Sequence, residues 1–189
     1  MSRDVHSRER NRVHRLFVAL PLQQNIREGL IDTMEGLPSV NWQPEDQLHL
    51  TLRFVGEVER PVAEDLAVAL SALKSPAVDI SISGVGRFDH QSRGVLWAAV
   101  QPREPIVTLA GKIERICQRI GLPPERRAYH PHITLGRWNR FPGSDLDRFL
   151  ARHATLRSDP FRIDRFTLFE SHLGHAGAHH EVIADFPLA

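Results

Sequence analysis

The chain has 189 residues, 41% apolar and 25% charged, a length and balance that predict one domain, or two tightly joined lobes, around a real core and exclude a disordered chain. Twenty-four Lys and Arg against 23 Asp and Glu leave a formal charge of +1, which does not suit a protein coating long duplex nucleic acid. Only Lys74 and Lys112 of the basic residues are Lys, and there are 11 His; Arg forks and imidazoles are compatible with phosphate chemistry, although coding bias explains an Arg excess equally well.

Residues 1 to about 12 are polar and are expected to form a mobile tail. No apolar run approaches the ~20 residues of a membrane span, and LFVAL is stopped too soon by Pro21 to act as a signal core, so a cytoplasmic protein is expected. Hydrophobic spacing then predicts a strand over 15–20 and a helix over 21–34, with Leu22, Ile26, Leu30 and Met34 on one face. A short extended piece near Trp42 leads to a strand over 49–55, closed by Gly56, and Pro61 starts a second helix. Alternation over 78–85 predicts a half-buried strand, 94–100 another, and 105–120 a third helix stopped by Gly121. Cys117, the single cysteine, falls on that helix's apolar spacing and is expected to be a buried structural thiol in a reducing compartment. A strand over 132–137, a short helix capped by Ser144, and strands over 161–170 and 181–186 complete the chain. These strands are neither uniformly apolar nor regularly alternated with helices, so an α+β protein on mainly antiparallel sheet is expected, with 13–189 as a single domain.

Two near-identical segments stand 83 residues apart: His49-Leu50-Thr51-Leu52 and His132-Ile133-Thr134-Leu135. In a strand, side chains two apart share a face, so each segment sets one imidazole beside one hydroxyl and turns its two apolar residues to the core. If the strands meet across a cleft, two imidazoles suit displacement at phosphorus. One takes a proton from the attacking oxygen, the other gives one to the leaving oxygen, and the hydroxyls donate to phosphoryl oxygens without a metal. A Zn site would want a third protein ligand, and neither motif itself supplies an Asp, Glu or Cys.

On these motifs the chain resembles the 2H phosphoesterases, and it is similar within them to the bacterial and archaeal RNA 2′,3′-cyclic phosphodiesterases, also called 2′-5′ RNA ligases. RLFVAL at 15–20, LHLTLRFVGEV at 48–58, HPHITLGR at 130–137, FTLFES at 166–171 and a closing FPL carry the likeness, from about residue 14 to the end. The resemblance implies two similar lobes, each a mainly antiparallel sheet with helices outside, facing across a central groove. It implies His49 as proton donor to the ribose 3′-oxygen, His132 as proton acceptor from water, and Thr51, Thr134 and Arg137 on the phosphate. It further implies no cofactor and no metal, a monomer, and RNA ends or nucleotides bearing 2′,3′-cyclic phosphate as partners, the product being a 2′-phosphomonoester. Reversible 2′-5′ ligation would use the same two His, and a non-catalytic nucleotide- or RNA-binding module is the alternative of another class. A bell-shaped pH–rate profile near neutrality is expected.

Arg137 lies three residues after Thr134, so its role requires the strand to end or bulge at Gly136. Arg53 shares the parity of His49 and is a candidate for the groove; Phe54 has the opposite parity and is expected in the core. Trp42, Tyr129 and Trp138 are candidates to stack on a base, and His130 is expected to order a turn. His172, His175, His179 and His180 lie in a Gly/Ala-rich segment without regular ligand spacing, which predicts a mobile polar hairpin rather than a metal site. The family often carries an aromatic residue near His180, so the chain departs from it there.

Overall fold

Every strand in the computed structural model meets its neighbours antiparallel, among the described residues, 13–174 and 177–189. The expected tail over 1–12 and His175 lie outside those residues. In chain order the elements are β1 (Val13–Pro21), α1 (Gln24–Ile31), β2 (Asn41–Trp42), a 3-10 turn (Glu45–Gln47), β3 (His49–Glu59) and α2 (Arg60–Ser71). Then come β4 (Val78–His90), β5 (Arg93–Gln101), α3 (Glu104–Arg119), β6 (His132–Trp138), α4 (Ser144–Arg152), β7 (Phe161–Ile163), β8 (Arg165–Gly174) and β9 (Gly177–Pro187). The spatial order is β7-β4-β5-β6-β3-β1-β8-β9, with β2 added to β6.

This order divides into two halves. One lobe is β3-β1-β8-β9 and the other β6-β5-β4-β7, and they join where β3 meets β6 through the single residue pair Leu50–Ile133. The seam therefore falls inside the two tetrapeptides. The helices cover the sheet with the apolar stripes read from the sequence. Ile26 and Leu30 of α1, Leu66 and Leu70 of α2, and Leu146 and Phe149 of α4 are buried, and α3 buries Ile106, Leu109, Ala110, Ile113, Ile116 and Cys117. The Cys117 thiol has no exposure, and burial pushes its pKa up to about 11, which makes it an inert core group. No helix is long and apolar enough to cross a membrane, among the described residues.

Several predicted boundaries move. Pro21 still belongs to β1, so α1 is shorter than the apolar spacing suggests. The strand expected to close at Gly56 runs on to Glu59, because Gly56 adopts a φ of 86° that only glycine takes without strain and carries the strand past an irregular pair. Ser144 is the first residue of α4 rather than its cap; Gly143, with a φ of 70°, precedes it. The strand expected over 161–170 breaks at Asp164, since β7 pairs with β4 in one lobe and β8 with β1 in the other. The His-rich segment expected as a polar hairpin is one, built of regular strand, with β8 running to Gly174 and β9 starting at Gly177.

Leu50 is fully buried at the seam. Leu50→Ala is expected to cost about 2–5 kcal/mol in urea unfolding, the usual range for a core Leu. A loss below about 1 kcal/mol would show that the lobes hold together without it.

Candidate active site

Each tetrapeptide ends on an extra residue. Along β1–β3 the pairing passes from Ala19–Thr51 to Val18–Arg53, leaving Leu52 unpaired; along β5–β6 it passes from Trp97–Thr134 to Leu96–Gly136, leaving Leu135 unpaired. A bulge keeps two successive residues on the same side and so inverts the alternation beyond it. On β3 it turns Arg53 to the helix side and brings Phe54 to the face of His49 and Thr51. On β6 it turns Gly136 inward and brings Arg137 to the face of His132 and Thr134. Gly136 is required there, since a Cβ would lie 2.5 Å from Val40 and 3.0 Å from the Trp42 ring.

The consequences for Arg53, Phe54 and Arg137 are opposite. Arg53 is 9% exposed; its Nε is 2.6 Å from Glu114 Oε2 on α3, and Nη2 donates to the Pro123 carbonyl at 2.6 Å. It ties β3 to α3 and is not a groove residue, contrary to its parity in an unbroken strand. Phe54 is 57% exposed and 6.0 Å from the Phe17 ring, not in the core. Arg137 stands near both motif imidazoles and lowers the pKa of each.

The two His are held alike. The His132 Nδ1 donates to the His130 carbonyl at 2.7 Å, and the Gln47 carbonyl, again two residues earlier, favours the charged form of His49. For His132 this fixes Nδ1 as the protonated nitrogen and leaves Nε2 to exchange protons. Each ring sits among aromatic side chains. His49 lies 5.0 Å from Phe17, 6.2 Å from Phe169 and 5.6 Å from His180; His132 lies 5.0 Å from Phe88, 6.1 Å from Trp97 and 6.3 Å from His130. The rings desolvate both imidazoles. Burial, then the neighbouring positive groups His180, Arg137 and His132, lower His49 to about 4 against the opposing pull of the Gln47 carbonyl. His132 is also lowered, mainly by burial, with the His130 carbonyl opposing. Thr51 and Thr134 are half-buried beside them.

The remaining candidates do structural work. The Tyr129 hydroxyl donates to the Thr51 carbonyl at 2.8 Å, and burial raises its pKa, so it braces one motif from the chain leading into the other. Trp42 packs 5.8 Å from Phe149 over Gly136, on the helix side, and Trp138 is buried in the core. His130 orders the approach to His132 with its carbonyl while its ring lies 5.0 Å from Trp97. Sequence reasoning missed His180, which the hairpin sets 4.8 Å from Phe17 beside His49; alternation over 177–182, had it been recognised as strand, would have signalled it. Gln47 secures this placement, for its side-chain amide donates to the Ala178 carbonyl.

Two lobes that each present an imidazole, a hydroxyl and an aromatic wall to one groove define a two-histidine phosphoesterase fold. It is shared with E. coli LigT complexed with 3′-AMP, at a TM-score of 0.77 and 23% identity over 94% of this chain and 99% of that one. The chain belongs to the 2′-5′ RNA ligase superfamily, whose family model matches residues 26–175. Among curated relatives, a protein of Aeropyrum pernix named RNA 2′,3′-cyclic phosphodiesterase is 32% identical over 114 residues, 59% of this chain and 63% of that protein. One of Geobacillus stearothermophilus with the same name is 26% identical over 182 residues, 91% of this chain and 56% of its own length. The chain thus spans less than two thirds of these two relatives.

Replacing His180 by a neutral side chain removes a positive neighbour of His49, so the His49 pKa must rise. Titration of the histidine ring signals by NMR is expected to place His49 near 4 in the native protein and higher in His180→Gln. An unchanged His49 titration would mean that His180 does not act on it.

Proposed function

We propose that the protein is a metal-independent phosphoric diester hydrolase that opens 2′,3′-cyclic phosphates on RNA ends or nucleotides to 2′-phosphomonoesters. The observation that carries this reading is the equivalent placement of His49 and His132, on adjoining strands either side of the Leu50–Ile133 pair and each followed by a hydroxyl on the same face. The relatives' shared name supports the substrate class. The water oxygen attacks phosphorus while His132 Nε2 takes its proton; the bond from phosphorus to the 3′-oxygen breaks, and His49 delivers a proton to that oxygen. Thr51, Thr134 and Arg137 hold the non-bridging oxygens as charge shifts between them. With a ribose 5′-hydroxyl in place of water, the same forward steps join RNA through a 2′-5′ linkage, and run backwards they cleave it to the cyclic phosphate. The reading takes residues 13–189 as one bilobal unit, acting as a monomer in the cytoplasm.

With a 2′,3′-cyclic-phosphate-ended oligonucleotide and EDTA present, His49→Ala and His132→Ala are each expected to lose more than about a hundredfold in rate. Turnover indifferent to both changes would end the proposal, and wild-type binding without turnover would favour a binding module.

The pH dependence follows from the lowered imidazoles. His132 must be neutral and His49 protonated, and in the free protein both titrate below the ordinary 6.5. The maximum of kcat/KM, which reports free enzyme, is therefore expected below pH 6.5. That of kcat lies higher, because the bound phosphate anion favours the charged imidazole. A flat profile between about pH 5 and 9 would contradict the acid–base pairing.

A further inference from the structure

The face of the β8–β9 hairpin turned away from the groove carries a second cluster of donors. Glu170 and Glu181 are direct partners across the two strands, and His172, two residues beyond Glu170, shares their face. Two carboxylates in that relation repel each other. Glu170 is only 6% exposed, so its charge also lacks water. Its Oε1 is 3.0 Å from His14 Nδ1, and Arg60, which borders the same depression, is engaged with Glu64 one turn along α2.

One ligand atom from each of Glu170, His172 and Glu181 falls within 4.8 Å of the others, and His172 Nε2 stands 3.1 Å from Glu181 Oε2. Two ligands of one tetrahedral Zn2+ ion lie about 3.4 Å apart, so small side-chain rotations suffice to close the set. We propose that Glu170, His172 and Glu181 bind a divalent transition-metal ion of the Zn2+ type, water completing four ligands. A direct His172–Glu181 hydrogen bond explains that pair alone. The His14–Glu170 bond likewise serves one carboxylate, whereas a dication would draw both carboxylates and the imidazole between them onto one centre. His14 then acts as the outer partner that orients a ligating carboxylate through its other oxygen.

The ion's work is structural. It joins β8 to β9 near their turn, and the opposite face of the same hairpin carries Phe169 and His180 against His49. The reaction itself draws nothing from it, which separates this site from the groove.

Untagged full-length protein stripped with EDTA should bind Zn2+ with 1:1 stoichiometry by calorimetry, melt at a higher temperature when loaded, and give the visible absorption of four-coordinate Co2+ on substitution. His172→Ala and Glu181→Gln are each expected to weaken binding at least about tenfold, and His14→Ala by about 10- to 100-fold. His179→Ala, whose ring stacks on His172 but lies outside the set, should retain it. The proposal is overturned if the native protein shows no saturable 1:1 binding, if neither His172→Ala nor Glu181→Gln weakens it, or if His49→Ala abolishes it, which would put the ion in the groove.

Discussion

A single residue pair, Leu50 with Ile133, joins the two lobes, and the site exists because that pair lies between the working side chains of both motifs. Antiparallel pairing of two His-apolar-Thr segments through their apolar residue sets one imidazole and one hydroxyl on each side of the seam, all on one face of a continuous sheet. The same pair buries its side chains beneath that face. A displacement at phosphorus needs a proton taken on one side and given on the other, and this pairing supplies the two positions in a single backbone arrangement.

The likeness of the halves stops at their surroundings. Phe54 and Arg137 occupy equivalent places, each five residues after its motif His and each brought to the groove by a bulge at the fourth motif position. One lobe therefore offers an apolar ring and the other a permanent cation. The walls differ as well, since His49 has His180 as a neighbour where His132 has Phe88 and Trp97. Two imidazoles that start from one tetrapeptide therefore stand in different surroundings, and burial with neighbouring positive charge lowers both.

The four motif residues were legible because strand period alone puts positions i and i+2 together. Arg137 was legible only on condition of a bulge, and the bulge is present at Leu135, one residue before the expected place. The matching bulge at Leu52 was not legible, and for that reason Arg53 and Phe54 exchanged their expected sides. Nothing local in FVG reports an extra residue, because the pairing that creates it is with β1, more than 30 residues earlier. His180 escaped for a related reason. Gly174, Gly177 and Ala178 imitate a loop, yet they pair across the hairpin, Gly174 with Gly177 and Ala178 with Leu173. The buried positions Ile26 and Leu30 of α1 were legible because their spacing is complete within one element, whereas Leu22 and Met34 of the same stripe fall outside the helix.

The break at Asp164 also fixes the order in which the lobes can be completed. The strands β4, β5, β6 and β7 are encoded between the two parts of the other lobe, whose β1 and β3 come first and whose β8 and β9 come last; only β2, which joins β6, precedes β3. As the chain emerges from the ribosome, the inner lobe has all of its strands while β1 still has an open edge. Phe17, central to the wall beside His49, then lacks Phe169 and His180. The groove is finished only when the final segment docks, so a ribosome-bound chain lacking its last strands would already hold both motifs and yet have one imidazole exposed to water.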